Sequence, residues 1–237
     1  PVGPSLFLNM RFLRFLIAVV LLPFCAAWVL ALLDLLRLLS ATGNWLSPAF
    51  LCLVGGHLCW LALWFLLPHP VRAYVLGHEL THALWGLLFG ARVKNLRVSA
   101  EGSSVRLSKS NLLITFAPYF FPFYTMLLLL ARWIVSFFIS PVPWPNVWLF
   151  FVGLTWSFHI CFTIESLTID QPDVKEYGRL FSYVVIFLSN LFCICLWLLC
   201  TTGCRAAVFG QNLLDHSVTL YAAIGSWLGS AAKCLYS

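Results

Sequence analysis

The sequence predicts an all-α polytopic membrane protein with about six transmembrane helices and a small membrane-associated β-hairpin. Three observations carry that prediction. Of 237 residues, 62% are hydrophobic and only 9% charged, whereas a soluble domain carries about 25% charged residues. The 21 Phe, 11 Trp and 7 Tyr exclude a disordered chain, which is poor in aromatics and rich in charge. Uncharged stretches of the length needed to cross a hydrocarbon core then recur along the sequence. We read residues 1–237 as a single membrane domain with its core at about 70–200.

The chain opens on Pro1, and Met10 with Arg11 and Arg14 behind it reads as an alternative start, so residues 1–9 are left open as native sequence. The first span is Phe15–Leu33, too long an apolar run for a signal peptide and with no small-x-small cleavage site. Pro48–Leu67 is the second, Val71–Gly90 the third, Leu112–Ala131 the fourth, Trp144–Leu167 the fifth and Leu180–Leu199 the sixth. Residues 91–109 alternate apolar and polar around Gly102-Ser103-Ser104, which predicts a hairpin turning there, with Val93, Leu96, Val98, Val105 and Leu107 on one face. Residues 168–179 form an acidic loop. The tail 206–237, with Asp215, His216 and Lys233, is only moderately apolar and predicts an interfacial helix.

Net charge is +6, but the basic residues are scattered over short loops. That distribution suits anionic lipid and the positive-inside rule, and it argues against a nucleic-acid partner. The nine cysteines include no C-x-x-C pair and are odd in number, so they read as small apolar residues between helices and not as a disulfide framework or zinc knuckle.

The chemistry concentrates in His78-Glu79-Leu80-Thr81-His82. Residues four apart on a helix share a face, so both imidazoles can aim at one metal ion, with Glu79 beside them as a base for a metal-bound water. A carboxylate between two imidazoles in a membrane span is expensive unless it is functional.

Gly77-His78-Glu79-Leu80-Thr81-His82-Ala83 inside an apolar helix resembles the first motif of the site-2 protease family of intramembrane zinc metalloproteases, in its compact branch without a PDZ domain. Gly90-Ala91-Arg92-Val93 resembles the Gly-x-x-Val and hairpin that follow in that family, and Ala117-Pro118-Tyr119 its Pro-containing next span. The resemblance covers roughly residues 70–200. It implies one zinc ion held by two His and one Asp, and hydrolysis of a peptide bond in or next to a transmembrane segment of a protein substrate, with Glu79 as general base. The family's Leu-Asp-Gly and Asn-Pro-x-x-x-Asp contexts for the Asp do not occur. Asp170 and Asp173 are the available carboxylates, and Gln171-Pro172-Asp173-Val174 makes Asp173 the favoured third ligand, with Asp170 the alternative. With no sensing domain, regulation would fall to a membrane partner or to substrate trimming.

Other polar residues within spans are His159 and Asn190, both candidates to line the site or to bond substrate backbone, and Glu165 and His57, read as structural. Counting spans puts the hairpin and the acidic loop on one face. Arg92, Lys94, Arg97, Arg106 and Lys109 make that face cytoplasmic, against Arg11 and Arg14 on the other side. The expected location is a bacterial cytoplasmic membrane with the zinc site towards the cytoplasm. Two rival readings remain. One is a C-a-a-X prenyl-type membrane zinc protease, whose Glu-x-x-x-Asp is approached here only by Glu165 and Asp170, one residue too far apart. The other is a non-catalytic membrane scaffold that retains the metal site, against which the intact Glu79 speaks.

Overall fold

The computed structural model describes residues 4–41, 46–99, 102–202 and 205–236. The elements in order are α1 (Pro4–Ala41), α2 (Pro48–Leu66), α3 (Val71–Leu88), β1 (Val93–Ser99), β2 (Gly102–Leu107), α4 (Leu112–Phe120), α5 (Phe123–Ser136), α6 (Pro145–Thr168), α7 (Pro172–Tyr177), α8 (Arg179–Thr202) and α9 (Ala206–Tyr236). They form two compact units, Asn44–Asp173, and Pro1–Gly43 together with Val174–Ser237. The all-α membrane architecture with one small sheet is as expected.

Among the described residues four helices are long and apolar enough to cross a membrane, within α1, α2, α6 and α8, or five if α4 and α5 count as one bent span. Helix α3 has 18 residues but carries Arg72, His78, Glu79 and His82, and this polar load keeps it below the apolar threshold. The predicted fourth span is not one straight helix: α4 and α5 meet at 78°. Pro122 stands between them and cannot donate the N–H that would continue the ladder.

In the Asn44–Asp173 unit, Ser47 caps α2 by accepting the Phe50 N–H at 3.2 Å, and Pro48 sits in the first turn, where no N–H is needed. Helix α2 lies against α6 along a seam of small residues. A Cβ on Gly56 would fall 2.9 Å from the Leu154 nitrogen, and one on Gly153 2.7 Å from His57 Nδ1. Close backbone approach of this kind substitutes for the hydrophobic force that lipid removes. His57, whose Nδ1 bonds the Leu53 carbonyl at 2.9 Å, belongs to this seam.

Helix α3 starts after Pro68-His69-Pro70 and stops at Gly90, whose φ of +70° suits glycine. The Gly90 N–H returns to the Leu87 carbonyl at 2.9 Å and the Ala91 N–H to Gly86 at 2.8 Å, the paired bonds of a Schellman stop. The strands that follow pair antiparallel, with Val93 opposite Leu107 and Leu96 opposite Val105. Gly102, Ser103 and Ser104, expected in the turn, belong to β2 and pair with Ser99, Val98 and Arg97; residues 100–101 lie outside the described residues. Leu107 covers α3 at Gly86, where a Cβ would meet its Cδ1 at 2.9 Å. The hairpin thus docks on the helix that carries the motif.

In the other unit α1 packs with α8 and α9. Ala18, Cys25 and Val184 are its buried core, flanked by Leu21, Leu180, Phe181 and Leu188. His216 of α9, the predicted interfacial helix, meets Asp34 at 2.7 Å, and the Tyr221 hydroxyl donates to the Val20 carbonyl at 2.6 Å. Cys25, Cys52, Cys59, Cys161 and Cys195 are free thiols; Cys204 lies outside the described residues.

Candidate metal centre

His78 and His82 lie one turn apart on α3, with ring centroids 4.9 Å apart. Behind them α3 is tightly backed. A Cβ on Gly77 would meet the Tyr124 ring at 3.0 Å, and the Thr81 hydroxyl is spent on the Gly77 carbonyl at 2.7 Å. Asp173, in the first turn of α7, completes the group: its Oδ2 is 3.4 Å from His82 Nε2 and 3.7 Å from His78 Nε2. One ligand atom from each of the three lies within 4.8 Å of the others. The loop that α6 hands to α7 therefore brings the carboxylate to the imidazoles, and Asp173 is the acidic residue that arrives. Asp170 is exposed and stands outside the cluster.

Each ligand is held from behind. The Tyr74 hydroxyl lies 3.3 Å from His78 Nδ1. His82 Nδ1 is 2.9 Å from the Ile114 carbonyl oxygen. The Tyr119 hydroxyl donates to Asp173 Oδ2 at 3.2 Å, and its ring packs edge-on against His78 at 5.3 Å. The Ile114 carbonyl is available for a local reason. Its helical partner would be the N–H of residue 118, which is Pro118, so the carbonyl is left over and takes the histidine.

These outer bonds decide what the centre can hold. A carbonyl only accepts, so His82 carries a proton on Nδ1, and its neutral ring offers Nε2 as the ligating lone pair. Lone pairs and a carboxylate oxygen converging at 3.4–3.7 Å repel, and either a proton on an imidazole, shared with Asp173, or a metal ion among them relieves the repulsion. Zinc with ligand bonds of about 2.0–2.1 Å spans tetrahedral edges of about 3.3 Å, close to these separations. The donor set, two imidazoles and one carboxylate with outer partners fixing them, fits a tetrahedral metal with one open position. Burial alone would raise the Asp173 carboxyl, but where the imidazoles are protonated their hydrogen bonds and charge outweigh it and hold the group well below the usual carboxylate range.

Glu79 is buried, at 8% exposure, within electrostatic reach of His82 and Tyr74. His159 is also buried and lines one cavity with His78, Tyr74 and Thr81. Glu165 lies 3.6 Å from His69, whose ring stacks on Trp64, and it stands outside the metal cluster. Asn190 belongs to the other unit, where its amide donates to the Ile186 carbonyl at 2.9 Å. Sequence reading missed Tyr74, Tyr119 and the Ile114 carbonyl. Tyr74 had a signal, since it sits one turn before His78, and so did Pro118, four residues after Ile114.

The fold and this cluster define an α-helical membrane protein with a site able to hold one metal ion. Comparison with family models, curated proteins and solved structures gives no match to this chain.

Proposed function

We propose that the protein is an intramembrane zinc metalloendopeptidase, resembling the site-2 protease family, that cleaves a peptide bond in or beside a transmembrane segment of another protein. The observation that carries this reading is the convergence of His78, His82 and Asp173 with Glu79 in the same motif. A structural polar cluster has no need for a carboxylate base next to a three-ligand centre with an open fourth position.

Zinc held there would polarise the scissile carbonyl and lower the pKa of its water towards about 7. Glu79 takes a proton from the attacking water and carries it to the leaving amine. Tyr74, Tyr119 and the Ile114 carbonyl keep the ligands in place through the reaction. The hairpin beside α3 offers a backbone edge to which an extended substrate adds as a strand. On this reading α3 crosses the membrane despite its polar load, the bent α4–α5 pair counts as one span, and six elements cross in all. The basic hairpin faces the cytoplasm, as in a bacterial cytoplasmic membrane.

The test joins metal content to cleavage of single-span substrates by purified protein in lipid. Glu79→Gln should retain zinc and lose cleavage. His78→Ala and His82→Ala should each lose zinc. Near wild-type turnover by Glu79→Gln removes the base from the mechanism, and unchanged zinc in both histidine variants removes the centre from α3.

A further inference from the structure

His159 sits within α6, 7% exposed, with the backbone of Tyr119 close enough to favour a proton on its ring. Tyr119 is in the last turn of α4, where the break before α5 leaves carbonyls without a helical partner. The other ring nitrogen, Nε2, is buried with no hydrogen-bond partner. A backbone group that favours a ring proton is a carbonyl, which only accepts, so with Nε2 unpartnered the neutral ring carries its proton on Nδ1 and leaves Nε2 as a lone pair. It can accept a hydrogen bond and cannot donate one, so it is not built to stabilise an oxyanion.

The cavity that His159 lines is shared with His78. Its other polar side chains are already committed: Thr81 to the Gly77 carbonyl, Tyr124 to the Ala73 carbonyl and Tyr74 to His78. Among these, Nε2 of His159 is the acceptor left open. The remaining wall is largely aromatic, including Phe121, Phe123 and Phe158. A space of about 20 Å³ admits one small group. A transmembrane helix opened for hydrolysis loses its own i→i−4 bonds, and each freed N–H needs an acceptor at a depth where water is scarce.

We propose that His159 Nε2 accepts the hydrogen bond of one backbone N–H of the unwound substrate, next to the metal centre, and so sets which residue lies across it. This rests on the peptidase reading. His159 is a substrate-positioning residue and takes no proton in the reaction.

The experiment uses the full chain, zinc-loaded, in lipid nanodiscs, with a synthetic single-span peptide whose Leu/Ala-rich segment carries one Gly-Ser break. A series of the same peptide replaces one amide at a time by an ester, which deletes a single N–H. Binding is measured on Glu79→Gln protein, alone and combined with His159→Phe or His159→Gln, and the His159 Nε2 resonance is followed in ¹⁵N-histidine-labelled protein. One ester position should weaken binding about tenfold in the His159 protein and leave binding to the His159→Phe protein unchanged. His159→Gln, which keeps an acceptor, should recover part of the loss, and the peptide should shift the Nε2 resonance. Zinc content of each variant reports that the centre is intact. If the peptide is cleaved by wild-type protein but no ester position couples to His159, or Nε2 does not respond, the space holds water and the inference is overturned while the peptidase reading stands. If wild-type protein neither binds nor cleaves any peptide of the series, the peptidase reading fails and takes this one with it.

Discussion

Replacing Tyr119 by Phe deletes one hydroxyl and leaves the rest of the centre in place. The hydroxyl donates to Asp173 Oδ2 at 3.2 Å, the oxygen that also faces both imidazoles, so its loss acts directly on the third ligand. Tyr119 is 0% exposed, and no bulk water is at hand to replace the donor. The ring still packs against His78, so the fold should hold. A hydrogen bond to a charged group contributes about 1.5–3 kcal/mol, and loss of an outer partner of a metal ligand typically costs about 10–100-fold in affinity. The two scales agree, since a tenfold change is about 1.4 kcal/mol. Zinc affinity, measured by competition with a chromophoric chelator in detergent, should therefore fall by about 10–100-fold, with helical content and zinc stoichiometry at saturation unchanged. If affinity stays within about twofold of wild type while Asp173→Asn lowers it, Tyr119 does not hold the ligand and the argument for the outer shell fails.

Asp173→Asn should lower both zinc affinity and activity by about tenfold or more, and Asp170→Asn should do neither to that extent, because only Asp173 reaches the imidazoles; the reverse order would move the third ligand. Gly153→Ala places a methyl group 2.7 Å from His57 Nδ1 and against the Leu53 carbonyl. It should destabilise the α2–α6 seam by about 1–3 kcal/mol, read as an earlier unfolding midpoint in denaturing detergent. A cysteine in place of exposed Lys109, on a background without native cysteines, should react with an impermeant thiol reagent only from the cytoplasmic side. Labelling from outside intact cells would invert the topology.

Spans, hairpin and metal motif were legible because each is a local pattern. An apolar run, a period of two and a period of four are written in neighbouring residues, and β1 and β2 duly follow α3. The hairpin's turn was misplaced because Gly102-Ser103-Ser104 satisfies turn chemistry as well as strand pairing, and register depends on partners far along the chain. The bend within the predicted span Leu112–Ala131 is not legible because hydropathy counts apolar residues and is blind to the N–H that Pro122 lacks, even with Pro118 marked by its motif. Asp173 was preferred over Asp170 on its context, whereas its approach to His78 and His82 is a long-range fact that only folding supplies. Tyr119 shows the same limit more sharply. Tyr119 stands beside Pro118 in a local motif, but its bond to a residue 54 positions away leaves no trace in local sequence.

The break between α4 and α5 explains why prolines stand in so apolar a run. A helix interior proline costs about 3 kcal/mol in water, and at membrane depth each orphaned carbonyl adds the penalty of a buried polar group without a partner. Had Pro118 and the end of α4 served only to bend the chain, the carbonyls left without a helical partner would need nothing more than any available donor. The donors found are two histidines of the candidate site, His82 and His159. The Ile114 carbonyl, freed by Pro118, takes His82 Nδ1 at 2.9 Å, and the backbone of Tyr119, in the last turn of α4, favours a proton on the ring of His159. Each contact favours a proton on Nδ1 and leaves Nε2 as the acceptor, on a candidate metal ligand in one case and on a residue lining the adjoining cavity in the other. One interrupted helix therefore satisfies its own backbone by orienting two imidazoles, and the cost of the break is offset where the protein needs fixed acceptors.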